Sequence, residues 1–272
     1  MLALLEQALL ILPLILGAYI VISLLELPDL SLESSYLLGA VMAFMTKDKG
    51  LAIMLSSVIG GGLLVGAFVG ILNRLFRLPF LISAMMANGV FYGLASYLLQ
   101  GGFIHFEVSL PVEEMYFLLA VGILLALTVL FLLRSQLGYS FAIYGNNPFF
   151  FERHGLNGSY VLLFGLLLGH SLAAVSGFLF AQSNGFVDLT MQTGIVLTCI
   201  TAVILGKLVT RSFRPNILVP LLGVVFYLSL QQLLLKLGLN LRYFNAFQAL
   251  LILATLLIGQ KRYQRNPLHL GV

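Results

Sequence analysis

The polar residues of this chain are few, and two groups of them repeat one phrase. Asp29-Leu30-Ser31-Leu32-Glu33-Ser34 aligns with Asp188-Leu189-Thr190-Met191-Gln192-Thr193, every pair identical or chemically close. Asp, Ser and Thr are good N-cap types, so each copy can open a helix. A polar break in an otherwise apolar chain offers hydrogen bonding and gating rather than bond making. Asp29, Ser31, Glu33, Asp188, Thr190 and Gln192 are therefore candidates for a pathway or gate, with a structural role for the aspartates favoured over solute contact. Asn88 is a further pathway-facing candidate. His170 lies inside an apolar run between Gly169 and Ser171. An ionisable group there marks function by default, although a neutral imidazole bonded to a neighbouring helix fits as well.

Other chemistry is missing. No G-x-x-x-x-G-K-[ST] is present for a P-loop, and no metal-ligand spacing occurs. Four scattered histidines and one cysteine, Cys199, build no hydrolytic site and no intrachain disulfide. The expectation is a protein that is not an enzyme and needs no cofactor or metal. A net charge of +4, scattered through short loops, does not suggest nucleic acid.

The elements that position these residues follow from composition. Of 272 residues, 60% are hydrophobic and 9% charged, against about 25% charged in soluble domains. Mean hydropathy is +1.06. So much apolar surface demands a lipid solvent, and runs of roughly 20 apolar residues match a bilayer. The fold class is all-α and polytopic. Helices are expected at 5–26, 35–46, 51–73, 79–100, 114–133, 159–182, 192–208, 216–236 and 244–260, the second too short to cross alone. The first is read as a retained helix, lacking a basic flank and a cleavage site. One domain results, with a first half at 5–133, a cytoplasmic loop at 134–158 and a second half at 159–260.

Lys and Arg set the orientation. Arg74, Arg77, Arg134, Arg153, Lys207, Arg211, Arg214, Lys261, Arg262 and Arg265 fall on one side, and Lys47, Lys49, Lys236 and Arg242 on the other. The richer side should be cytoplasmic, with the C-terminus inside and, after nine crossings, the N-terminus outside. Five crossings then separate the helices before Asp29 and Asp188. An odd number means the copies enter in opposite directions, as inverted repeats of transporters do. Broken helices in such folds aim polar groups at a central path.

Two further patterns concern packing and docking. Gly62, Gly66 and Gly70 recur every four residues, as do Gly165 and Gly169, which lets helices approach closely. The loop from Arg134 to Ser159 holds Asn147-Pro148-Phe149-Phe150-Phe151-Glu152-Arg153-His154-Gly155. Asn147 suits an N-cap, Pro148 a first helical position and Gly155 a stop. This predicts a two-turn helix outside the membrane, with apolar surface from Phe149, Phe150 and Phe151 that a monomer has little reason to expose. It would lie on the bilayer surface or dock in a partner's groove.

LGYSFAIYGNNPFFFERHGLN resembles the coupling loop of ABC importer permeases of the branched-chain amino acid and ribose type. LLELPDLSLESSYLLGA, GAFVGILNRLFRLPFLISAMM and GFVDLTMQTGIVLTCITAVILG are similar to a subgroup with one permease, a solute-binding lipoprotein and an ATPase. The likeness covers most of residues 10–210. It implies that Gly145, Asn147, Pro148, Phe150, Gly155 and Asn157 belong to the region that fits the ATPase. It also implies a permease homodimer in a bacterial inner membrane, partnered by an ABC ATPase and an extracytoplasmic solute-binding protein. Ala142 and Lys207 depart from the pattern, standing where the family often has arginine and glutamate. The solute would be small, such as an amino acid. The alternative is an ion-coupled secondary transporter, which the loop and the shortage of intramembrane carboxylates disfavour.

Overall fold

The computed structural model describes residues 2–265 apart from 101, 109–111, 211–214, 239, 241 and 242. Arg211, Arg214 and Arg242 thus lie outside the described residues, as do the side chains of Lys261, Arg262 and Arg265. The order begins with α1 (Leu2–Ala18), continued by a π-helix at Tyr19–Leu24, then α2 (Leu32–Thr46), α3 (Leu51–Arg74) and α4 (Phe80–Leu98). A short strand β1 (Ile104–His105) precedes α5 (Glu114–Arg134), α6 (Gln136–Asn146) and α7 (Phe149–Arg153). Then come α8 (Gly158–Asn184), β2 (Phe186–Val187), a 3-10 turn at Leu189–Gln192, α9 (Ile195–Thr210), α10 (Leu218–Lys236) and α11 (Phe244–Arg265). Each expected stretch carries a helix. Among the described residues, seven helices are long and apolar enough to cross a membrane. The 15 residues of α2 are not, since they reach only about 22 Å against a core of roughly 30 Å.

Several local expectations are corrected. The interval 134–158 is not mainly loop: α6 fills its first half, with Gly138, Phe141 and Tyr144 buried at helical spacing. The predicted two-turn helix is the five-residue α7. Pro148 takes its cap position with no side-chain bond, while the Asn147 carbonyl accepts from the Phe150 amide at 3.0 Å. Only Phe149 shows a free face, at 65% exposure, whereas Phe151 is buried with its ring tilted against that of Tyr144. The antiparallel ribbon of β1 and β2 was not expected.

The centre of the molecule is α8, packed by α1, α2 and α3. Glycine makes these approaches possible. A Cβ at Gly62 would sit 2.6 Å from Ser171 Cα, one at Gly66 2.9 Å from the Leu166 carbonyl, and one at Gly70 2.7 Å from Leu163 Cδ1. The register shows α3 running antiparallel to α8. Gly39 and Gly177 likewise seat α2 on α8, each against the other helix's backbone. Pro13 lies inside α1, and one turn before it the Ser176 hydroxyl donates to the Leu10 carbonyl, tying α8 to α1.

Candidate functional site

The π-helix ending α1 closes with Leu25 N–H on the Ile20 carbonyl, and beyond it Leu27 N–H reaches back to the Val21 carbonyl. Glu26 follows with φ +55°, so the helix cannot simply continue. The chain turns back at Pro28-Asp29. The Asp29 carboxylate accepts from the Ser31 amide at 2.8 Å and from its hydroxyl at 2.5 Å. Ser31 is the N-cap of α2 yet makes no side-chain cap bond of its own; the aspartate shapes the turn instead.

Asp29 is 1% exposed. Its other oxygen lies 3.0 Å from His170 Nε2, and His170 Nδ1 lies 2.7 Å from the Ser35 hydroxyl. A carboxylate only accepts, so Nε2 carries a proton toward Asp29. A neutral imidazole of that tautomer accepts from Ser35 on Nδ1 and leaves neither nitrogen unpaired. The imidazole thus does what the second sequence reading of it allowed, bridging α8 to the break before α2. Gly62 faces the His170 backbone and Gly66 its ring, with a Cβ there 3.0 Å from Cδ2.

The second copy of the phrase makes the same local turn in different surroundings. The Thr190 hydroxyl donates to Asp188, as Ser31 does to Asp29, but Thr190 is exposed and Asp188 half-buried. Asp188 opens the 3-10 turn, which leads into α9. Glu33, in the first turn of α2, accepts from the Val196 amide of α9 at 3.3 Å. The Gly194 amide and the Asn88 side chain also face this carboxylate. Two helix N-termini therefore meet at one glutamate, whose negative charge suits their positive ends. From this junction α2 leads through Lys47–Lys49 to the start of α3, at the α8 C-terminal end. The other helix, α9, runs toward Glu26, which lies near Lys207, and its Gly206 packs on Val219 of α10. The side-chain oxygens of Asn88 and Gln192 are buried there without a partner, and the turn holding Gln192 packs against α2 and α4.

At the far end, Gly145 of α6 abuts the Leu24 carbonyl and Leu25, so α6 is locked to the end of α1. Arg74 donates to the Tyr144 hydroxyl. Burial pushes the Tyr144 hydroxyl above its ordinary pKa, and Arg74 pulls it part of the way back. Gly155 has φ +68° and ends α7. Asn157 caps α8, its side chain accepting from the Ser159 amide at 3.0 Å. The Asp29–His170 and Glu33–Val196 contacts, 141 and 163 residues apart in sequence, carried no local signal by which sequence reasoning could have paired them. No group of three or more metal-ligating side chains forms among the described residues.

A bundle of apolar helices, seven of them among the described residues long enough to cross a membrane, with polar turns before α2 and α9, fits a membrane transport protein. A family model described as the permease component of branched-chain amino acid transport systems matches residues 1–256, and the chain belongs to that family of ABC importer permeases. An uncharacterized protein of Rickettsia prowazekii (strain Madrid E), RP368, is 30% identical over 87% of this chain and 89% of its own length. The tyrosine transport system permease protein of Clostridioides difficile (strain R20291) is 28% identical over 76% and 72%. The autoinducer 2 import system permease protein LsrC of Yersinia enterocolitica is 26% identical over 86% and 68%.

Proposed function

We propose that this chain forms the solute path of a bacterial ABC importer for a small solute such as an amino acid. In this reading it sits in the inner membrane, with the N-terminus outside and the C-terminus inside. Two copies face each other, an ABC ATPase docks on α7, and an extracytoplasmic solute-binding protein delivers the solute. The helices α2 and α9 are the half-helices of an inverted repeat, which brings the crossings to nine when α11 is counted. The single observation that carries the reading is the meeting of the α2 and α9 N-termini at Glu33, beside the unpartnered oxygens of Asn88 and Gln192. Broken helices meeting at mid-membrane are how transporters build a site from backbone and a few polar groups. Asp29, Ser31, Asp188 and Thr190 hold the two turns. Gly145, Asn147, Pro148, Phe150, Gly155 and Asn157 shape the docking region, and Gly62, Gly66 and Gly70 pack the bundle. The relative that transports tyrosine supports amino acids as the first solutes to try.

One observation favours the ion-coupled alternative, the buried Asp29–His170 pair, since buried ionisable pairs serve proton relays. Uptake of radiolabelled amino acids into vesicles containing the chain and its ATPase separates the two. Uptake that requires internal ATP and survives collapse of ion gradients is expected. Uptake driven by a proton or sodium gradient without ATP would replace this reading.

A further inference from the structure

We infer that His170 is a positioning residue that carries movement of the α7 end of the molecule to the junction of α2 and α9. This rests on the proposed docking of an ATPase at α7. The helix α8 starts at the Asn157 cap, directly after α7 and Gly155, and runs unbroken through His170 to Asn184. Thirteen residues of α-helix from the cap to His170 form a strut of about 20 Å. At its far point the strut is gripped on two sides: Gly169 abuts Gly17 of α1, and Gly62 of α3 abuts the His170 backbone. The His170 side chain is fully buried and holds Asp29 on one nitrogen and Ser35 on the other. Those two residues flank the first turn of α2. That turn carries Glu33, which holds the Val196 amide of α9. A shift of α8 cannot leave this turn behind without breaking a hydrogen bond to a buried charge. The arrangement therefore gives two discrete outcomes, a held junction or a released one.

The chain carries its own reporter. Cys199 is its one cysteine, is fully buried in α9, and lies within electrostatic reach of Glu33 and Asp29. The experiment measures the maleimide modification rate of Cys199 in the complex with its ATPase, with and without ATP and vanadate. In the unaltered protein the rate should change at least about tenfold with nucleotide, the factor corresponding to one hydrogen bond to a charged group. His170→Ala should abolish the nucleotide response, and His170→Gln, whose amide donates to Asp29, should restore part of it. A merely structural histidine would alter the resting rate and leave the nucleotide response intact. If His170→Ala leaves the cysteine open at rest, the fold has failed, and Ser35→Ala decides instead: it should keep the resting rate and shrink the response. A full response in folded His170→Ala, or in Ser35→Ala where His170→Ala does not fold, overturns the inference. So does a nucleotide-insensitive rate in the unaltered complex. ATPase retention in these preparations separates failure of the strut from failure of the importer reading, which would show as loss of the ATPase altogether.

Discussion

Replacing three consecutive glycines of α3 with alanine, one at a time, should give three different outcomes. A Cβ at Gly60 meets nothing within 4 Å. That site is open, so Gly60→Ala gains only helix propensity, about 0.5–1 kcal/mol of stabilisation. At Gly61 the nearest atom is Met42 Cγ at 3.1 Å. A methionine side chain can swing by a few tenths of an ångström, so its adjustment offsets part or all of the propensity gain. At Gly62 the new methyl would lie 2.6 Å from Ser171 Cα and 2.8 Å from the His170 carbonyl carbon. Those are backbone atoms of the central helix, and no rotamer relieves them. The helix α3 must back away by most of an ångström, so neighbouring pairs along the seam lose a quarter to a half of their dispersion wells. Overpacking of this kind costs about 1–3 kcal/mol, which at roughly 2–4 °C per kcal/mol lowers the midpoint by about 2–12 °C. The assay is thermal unfolding in detergent with a fluorogenic maleimide, because Cys199 is buried until the bundle opens. Equal shifts for all three variants, or a stabilised Gly62→Ala, would refute the claim that α3 is seated on α8 backbone to backbone.

Three further outcomes are expected. Gly155→Pro should abolish solute-stimulated ATP hydrolysis while the protein still inserts, since φ +68° is closed to proline; normal stimulation in that variant would remove α7 from the coupling role. Amine labels should reach Lys47 and Lys49 only from outside the cell and a cysteine label at Arg153→Cys only from inside, with Cys199 replaced by serine; reaction of both from one face would contradict the orientation. Asp29→Ala should destabilise by about 1–3 kcal/mol, because it strips a buried hydrogen-bond partner from His170 and Ser31, and an unfolding midpoint equal to that of the unaltered chain would show that the Asp29–His170 contact contributes nothing.

Much of the helix framework was legible because lipid demands long apolar runs, and such runs are hard to mistake. The repeated phrase at Asp29 and Asp188 was legible for the same reason: polar residues in an apolar chain stand out. What the phrase does was legible only in part. Its local turn follows from Asp and Ser or Thr two residues apart, but the burial of one copy and exposure of the other depend on what packs there. His170 could be seen as unusual, yet its partners come from elements far away in sequence. The helix α6 hid in a stretch judged as loop because its apolar residues are interspersed with glycine and serine, and only docking of Gly145 on the end of α1 makes them a buried face. Three consecutive phenylalanines spread apolar surface around α7, because a helix turns 100° per residue and Phe149 and Phe151 cannot share a side; one is exposed and the other buried.

The most direct test of the importer reading is gentle affinity purification from native membranes, with mass spectrometry of the proteins retained. An ATP-binding subunit in roughly equal amount to this chain is the predicted result. A pure chain without any ATPase, under conditions that preserve other such complexes, would contradict the reading and point to an ion-coupled carrier built around Asp29 and His170.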